Sequence, residues 1–298
     1  MDSPYRDDYP FAGRTFDRGG LRLHYLDEGQ GDPVVMVHGN PTWSFYYRRV
    51  IQAVRGAHSA IVPYHIGCGL SDKPGDDRYD YTLQSRIDDL DAPLEHLNVR
   101  GNVTLLLHDW GGAIGMGYAV RHPERIRRIA LLNTAAFLKP PGKAMPAALG
   151  LVRTPPGALL VRGFNAFARG TAWIGCTRRR MPKPLRDAYC APYDSWANRI
   201  ATLRFVEDIP LHPGDRAYGP LSQTQAALEA GLFRDIPTAI FWGMRDFVFD
   251  HHFLDRWIEL WPGAEVYRFE DCGHYVLEDA ADEIVPLFTR FLAEHPLR

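Results

Sequence analysis

The sequence predicts an α/β protein: a mostly parallel sheet with helices on both faces and an inserted helical cap. Three observations predict it. Short apolar runs recur along the chain, amphipathic helical patterns sit between them, and one long proline-punctuated stretch breaks the alternation.

The first run, Leu21 to Leu26, alternates apolar and polar residues behind a Gly19-Gly20 turn, as a hairpin strand with one buried face does. Pro33 to His38 is instead continuously apolar and ends at Gly39, the pattern of a strand buried on both faces. Similar runs follow at Ala60–Pro63, Val103–Leu107, Ile126–Leu132, Thr238–Trp242 and Ala264–Phe269. Between them, Thr82 is a candidate N-cap for a helix that spaces Leu83, Ile87, Leu90, Leu94 and Leu97 at three- and four-residue steps. A final helix near Asp282 to Ala293 places Ile284, Leu287 and Phe288 in the same way.

The exception runs from about Ala135 to His212. It holds Pro140, Pro141, Pro146, Pro155, Pro156, Pro182, Pro184 and Pro192, with apolar clusters such as Phe164, Phe167 and Trp173, and no strand-like run. A helical insertion is expected here, above the carboxyl ends of the strands where α/β sheets keep their ligands. The expected division is a core of 1–134 and 213–298 with a cap of 135–212. The cluster Arg178-Arg179-Arg180 with Lys183 is expected to be a solvated face.

Composition narrows the class of function. With 298 residues, 46% apolar and 23% charged, the chain has the makings of a soluble globular enzyme. Its formal charge of -2 gives no electrostatic reason to expect nucleic acid or an anionic membrane as partner. The acidic start, Met1 to Asp8, lacks the apolar core of a signal peptide, and no window approaches the ~18 apolar residues of a membrane span. Cys68, Cys176, Cys190 and Cys272 are widely spaced, as free thiols of a reducing cytoplasm would be.

The sharpest motif is Leu106 to Gly115, where a buried strand meets a glycine-rich helix start around His108-Asp109-Trp110-Gly111-Gly112. A strained strand-turn-helix is how α/β-hydrolases present a nucleophile, and small residues let the helix approach the strand. That position is normally serine in G-x-S-x-G. Here it is Asp109, Leu107 replaces the first glycine, and no G-x-S-x-G occurs in the chain. An aspartate at a helix start can also be a plain N-cap. Its partners argue otherwise: Asp246 follows the penultimate run and His274 the last, giving the chain order nucleophile, acid, base. Asp250 lies further into the loop, and the other position used for the acid in this fold holds Asn133, which carries no charge. His38 to Trp43 forms a turn whose backbone N–H groups can face negative charge, and Asn40 and Trp110 can add side-chain N–H donors.

HGNPTW, HDWGG, the GCGLSDKP run at Gly67 to Pro74, GMRDFVF and GHYVLED together resemble the haloalkane dehalogenase family over nearly the whole chain. The resemblance is closer still to the β-lactone decarboxylases of long-chain olefin biosynthesis, through Phe11 to Gly20, Pro192 to Ile200 and Asp246 to Phe253. One departure is Tyr64, after Pro63, where relatives usually carry aspartate; it bears on local packing, not on the triad.

The resemblance implies a lyase with Asp109 as nucleophile, His274 as base and Asp246 orienting it. On a haloalkane, Asp109 would displace halide, and His274 would activate water to free the enzyme. On a β-lactone, Asp109 would open the ring, and loss of carbon dioxide would leave a cis-alkene. Phe164, Phe167 and Trp173 are candidates for lining an apolar substrate channel. No metal and no organic cofactor are expected, since adjacent His251 and His252 on a helix should point apart. The resemblance points to the β-lactone-forming enzyme of the same route as a partner in assembly.

Four other readings compete. Fluoroacetate dehalogenases resemble H-D-R-G, whose arginine Trp110 cannot replace. Epoxide hydrolases need two cap tyrosines, for which Tyr189 and Tyr193 are available. A non-catalytic scaffold on the same fold tends to lose a triad member, whereas all three positions are filled here, and light-emitting oxygenases share the dehalogenase pattern.

Overall fold

The computed structural model describes residues 8–297, so the acidic stretch read at the start of the chain lies, Asp8 apart, outside the described residues. Its eight strands are β1 (Arg14–Asp17), β2 (Arg22–Glu28), β3 (Pro33–Val37), β4 (Ser59–Pro63), β5 (Val103–Asp109), β6 (Ile126–Thr134), β7 (Thr238–Gly243) and β8 (Glu265–Phe269). They form one sheet in the order β1-β2-β4-β3-β5-β6-β7-β8, and β2 alone runs against the rest.

The continuous apolar runs behave as their composition requires. Along β3, Val35 and Val37 enter one core while Val34 and Met36 enter the other; along β5, Leu105 and Leu107 part from Leu106 in the same way. Both faces therefore need a helical layer. On one face lie α2 (Leu83–His96) and α3 (Trp110–Arg121), with α9 (Tyr218–Glu229) and α10 (His251–Leu260); on the other lie α1 (Arg48–Val54), α11 (Val276–Asp279) and α12 (Ala281–Glu294). Thr82 caps α2, its hydroxyl accepting from the Ser85 N–H at 3.2 Å. The sequence pattern did not reveal β1, whose four residues are mostly exposed and carry no apolar alternation.

No strand intervenes among the residues between β6 and β7. Before α9 that stretch carries five α-helices: α4 (Ala147–Val152), α5 (Pro155–Phe164), α6 (Ala166–Ile174), α7 (Lys183–Cys190) and α8 (Ile200–Glu207). Pro155 and Pro184 fall in the first turns of α5 and α7, where the missing N–H costs nothing.

The cluster expected to be merely solvated is partly a clamp. Arg178 grips the Asp271 carboxylate through Nε and Nη2 at 2.9 Å each and pairs with Glu283. Beside it the Thr177 N–H donates to Asp279 at 2.9 Å and the Tyr275 N–H to the Gly175 carbonyl at 2.8 Å. These contacts tie the chain after α6 to the loop leaving β8. All four cysteines are unpaired.

The β5–α3 junction tolerates no added atoms. A Cβ on Gly111 would lie 1.9 Å from the Val37 carbonyl oxygen, a backbone atom that cannot turn aside. Gly111→Ala is accordingly expected to destabilise the fold by about 3 kcal/mol or more, read as a lower urea midpoint. Gly101→Ala, with no atom within 4 Å of the new methyl, should leave the midpoint near its starting value.

Candidate active site

Asp109 ends β5 with φ 52° and ψ -125°, a left-handed conformation unusual for a residue with a side chain. It occupies the N-cap position of α3, yet its carboxylate makes no capping hydrogen bond. The side chain turns instead to the β3 turn, where Oδ1 accepts the Asn40 backbone N–H at 2.6 Å. Gly39 makes that approach feasible, because a Cβ there would sit 2.0 Å from the same oxygen. The Thr134 hydroxyl donates to the Asp109 carbonyl and holds the elbow from β6.

His274 follows β8 and faces Asp109, with Nε2 3.8 Å from Oδ2. Its Nδ1 lies 2.8 Å from Asp246 Oδ2. Asp246 is fixed through its other oxygen, which accepts the N–H groups of Val248 (2.7 Å) and Phe249 (3.1 Å). The competing Asp250 is engaged elsewhere: it caps α10, receives a hydrogen bond from Lys143 Nζ at 2.8 Å and lies 3.0 Å from His252 Nδ1. Asn133 exchanges hydrogen bonds with the Gly243 backbone at 2.8 and 2.9 Å, and so joins β6 to the end of β7.

Burial dominates the electrostatics. It raises the Asp109 carboxyl above the ordinary aspartate value, although His274 and the N–H groups of Asn40 and Trp110 favour the anion. Burial alone would suppress the His274 imidazolium, but the charge and hydrogen bond of Asp246 and the charge of Asp109 outweigh it, and the net shift is upward. The two other buried histidines nearby are neutral. Burial lowers His38 to about 4 despite the Gly39 carbonyl 2.8 Å from its Nδ1. Burial, then the neighbouring His274, takes His108 well below the usual range. With its Nε2 2.9 Å from the His274 carbonyl, neutral His108 serves as a donor that pins the base's backbone.

Asp109, His274, Asn40 and Trp110 meet in one cavity with about 1020 Å³ of empty space, its open mouth included. The walls are chiefly apolar, with Phe137, Leu149, Phe167, Val206, Ile209, Leu221, Phe247 and Phe249. The Asn40 side-chain N–H donates to the Thr202 carbonyl at 3.1 Å; a carboxamide has a second N–H left for a ligand. The Trp110 indole N–H has no hydrogen-bond partner among the described residues. Its ring packs 5.4 Å from that of Phe205, over which Arg86 stacks at 3.6 Å while pairing with Asp208.

Phe167 lies in the cavity wall, but Phe164 and Trp173 do not. Phe164 is 64% exposed at the end of α5, and Trp173 is held on the outer side of α6 between the guanidinium groups of Arg180 and Arg186, at 3.9 and 4.0 Å. Helical phase explains the split: a four-residue step pairs Phe167 with Thr171 on the cavity side and Arg169 with Trp173 on the other. The remaining apolar walls were missed because they come from loops and from α4, α8 and α9, whose phase toward the site no local pattern reveals. Tyr189 donates to Glu278, Tyr193 is buried, and neither borders the cavity, so the pair required for epoxide opening is missing from it.

Tyr64 replaces an acidic side chain with a ring buried against His24, 4.6 Å away, and a hydroxyl 2.6 Å from that of Tyr9. The change serves packing of the amino-terminal segment. His251 and His252 do not point apart; their rings are 4.1 Å from each other beside Asp250, because both stand in the first turn of α10.

The family of the α/β hydrolase fold matches residues 32–281. A protein named cis-3-alkyl-4-alkyloxetan-2-one decarboxylase from Shewanella oneidensis is 57% identical over 286 residues, which is 96% of this chain and 89% of the relative. Haloalkane dehalogenase 2 of Mycobacterium tuberculosis is 31% identical over 93% of each chain. Among solved structures, the haloalkane dehalogenase DatA from Agrobacterium tumefaciens superposes with a TM-score of 0.85 at 24% identity, covering 96% of this chain and 97% of its own.

The charge of Asp246 is what lifts His274. Asp246→Asn should therefore lower the His274 titration midpoint, followed by the imidazole proton resonances in NMR. An unchanged midpoint would show that the pair does not communicate.

Proposed function

The chain belongs to the α/β-hydrolase fold family and, within it, to the cis-3-alkyl-4-alkyloxetan-2-one decarboxylases, and on that basis we propose that it converts a cis-3,4-dialkyl-oxetan-2-one into a cis-alkene and carbon dioxide. What supports the reading is a carboxylate, in place of a hydroxyl, at the elbow of an apolar cavity and within 3.8 Å of His274.

Asp109 attacks the ring carbon that bears the ring oxygen, forming an ester as that C–O bond breaks and releasing the ring oxygen as part of a carboxylate. The second N–H of the Asn40 carboxamide and the Trp110 indole N–H receive the negative charge. The new carboxylate then leaves as carbon dioxide, its C–C bond electrons form the double bond, and the Asp109–carbon bond breaks. Stereochemistry favours this atom. Displacement inverts the attacked carbon and places the Asp109 oxygen opposite the carboxylate, so anti elimination proceeds without rotation and keeps the two alkyl groups cis.

No water is consumed, and Asp109 returns with its own oxygens. Hydrolytic dehalogenation differs at this step, because His274 must take a proton from water. In the decarboxylase His274, held by Asp246, sets the charge balance around the nucleophile. Apolar walls such as Phe137, Leu149 and Phe249 accept the alkyl chains. The haloalkane reading remains the second one, favoured by the 31% identical relative and by a site with two N–H donors suited to halide.

Incubation with a cis-β-lactone should yield alkene, and incubation with 1-bromobutane should yield no bromide; the opposite pair of results selects the dehalogenase. Asp109→Ala should reduce alkene formation on the order of a thousandfold or more, and full turnover by that variant would end the mechanism. Trp110→Phe, which removes one donor, should lower kcat by roughly a hundredfold with a smaller change in KM. In the wild type, kcat/KM should fall as acid protonates Asp109, with a midpoint above the usual aspartate value of about 3.9.

A further inference from the structure

The total charge of -2 conceals a segregation. Residues 135–212 carry twelve Lys and Arg against four Asp and Glu, a balance of +8, so the remaining chain is strongly acidic. The same stretch, about a quarter of the sequence, holds eight of the ten large apolar side chains that are exposed among the described residues. Of the twelve cations only Lys139 and Lys143 border the catalytic cavity, and none of the eight exposed apolar side chains does.

The outer side brings charge and apolar surface together. Trp173, 44% exposed, lies between Arg180 and Arg186, and Trp196, 49% exposed, lies under Arg162 at 4.7 Å. Arg169, Lys183, Arg186 and Arg199 outnumber Asp187 and Asp194 around one depression that Trp173 also borders, and Arg169, Arg180 and Arg186 form no ion pair among the described residues. Phe164, 64% exposed, stands at the end of α5 between these two groups in the chain. Cations gathered around exposed indoles repel one another, and large apolar side chains clustered in the open mark a contact surface.

We infer that this outer face docks on a bilayer surface carrying anionic headgroups. Guanidinium groups supply the long-range attraction, and the aromatic and aliphatic tips enter the headgroup layer, the division of labour expected of an interfacial surface. Charge complementarity, with apolar tips interleaved among the cations, favours lipid over an acidic protein, whose surface would offer those tips no apolar seat. Helix α6 presents Arg169 and Trp173 to the membrane and Phe167 and Thr171 to the cavity, so a docked enzyme holds its apolar cavity one helix away from the lipid. The inference stands on charge and exposure and is independent of the lactone reading.

Flotation of the full chain with phosphatidylcholine vesicles, with and without phosphatidylglycerol, tests it. Retention should require phosphatidylglycerol and fall at high salt. Arg169→Ala with Arg186→Ala should weaken retention roughly thirtyfold, about fivefold for each cation, and Phe164→Ala with Trp173→Ala should weaken it at unchanged charge. Thermal midpoints equal to wild type establish that each variant is folded. Failure to float, retention by phosphatidylcholine alone, or retention of the arginine variant at the wild-type level overturns the inference. So does binding to immobilised polyglutamate without binding to vesicles, which would assign the face to an acidic protein.

Discussion

The structure turns on a buried carboxylate held at a backbone position that resists it. Asp109 sits at φ 52°, a conformation that costs about 1–3 kcal/mol for a residue with a side chain. The surroundings impose it: β5 is locked between β3 and β6, Gly111 abuts the Val37 carbonyl, and Gly112 abuts Thr134. Relaxing the elbow would mean separating strands at the centre of the sheet. The same constraint aims the carboxylate at the Asn40 N–H.

A carboxylate so placed needs charge control, and the site obtains it with few groups. Asp246 lends its charge to His274, while two buried neutral histidines, His38 and His108, act as hydrogen-bond partners without adding cations. The remaining surroundings are chiefly apolar side chains. Electrostatic effects among Asp109, His274 and Asp246 are therefore weakly screened, and each depends on the protonation of the others.

Legibility in the sequence followed the range of the forces involved. The elbow, the placement of Asp109, Asp246 and His274 at or just after the ends of their strands, and the doubly buried strands could be read because each depends on residues adjacent in the chain. Asp246 could be preferred to Asp250 by its place after β7, and the geometry gives the reason: Asp250 is occupied by Lys143 and the start of α10. The cavity wall was less legible. Phe164 and Trp173 were chosen for their size, but their direction is set by where α5 and α6 rest on the core, a long-range property. Arg178 was read as a solvated charge for the same reason, since Asp271 is ninety-three positions away. A near-zero total charge, likewise, says nothing of how the charges are distributed along the chain.

The clamp after α6 has a consequence for how such enzymes can diverge. Gly175, Thr177 and Arg178 grip the backbone and carboxylates of the turn that carries His274. Helices that choose the substrate are thus bolted to the residue that serves the chemistry. A transplanted lid that kept only its substrate-facing side chains would leave that turn without its moorings. New specificity in this scaffold is best sought by exchanging wall residues in place, or by moving the lid together with its anchoring segment, residues 175–178.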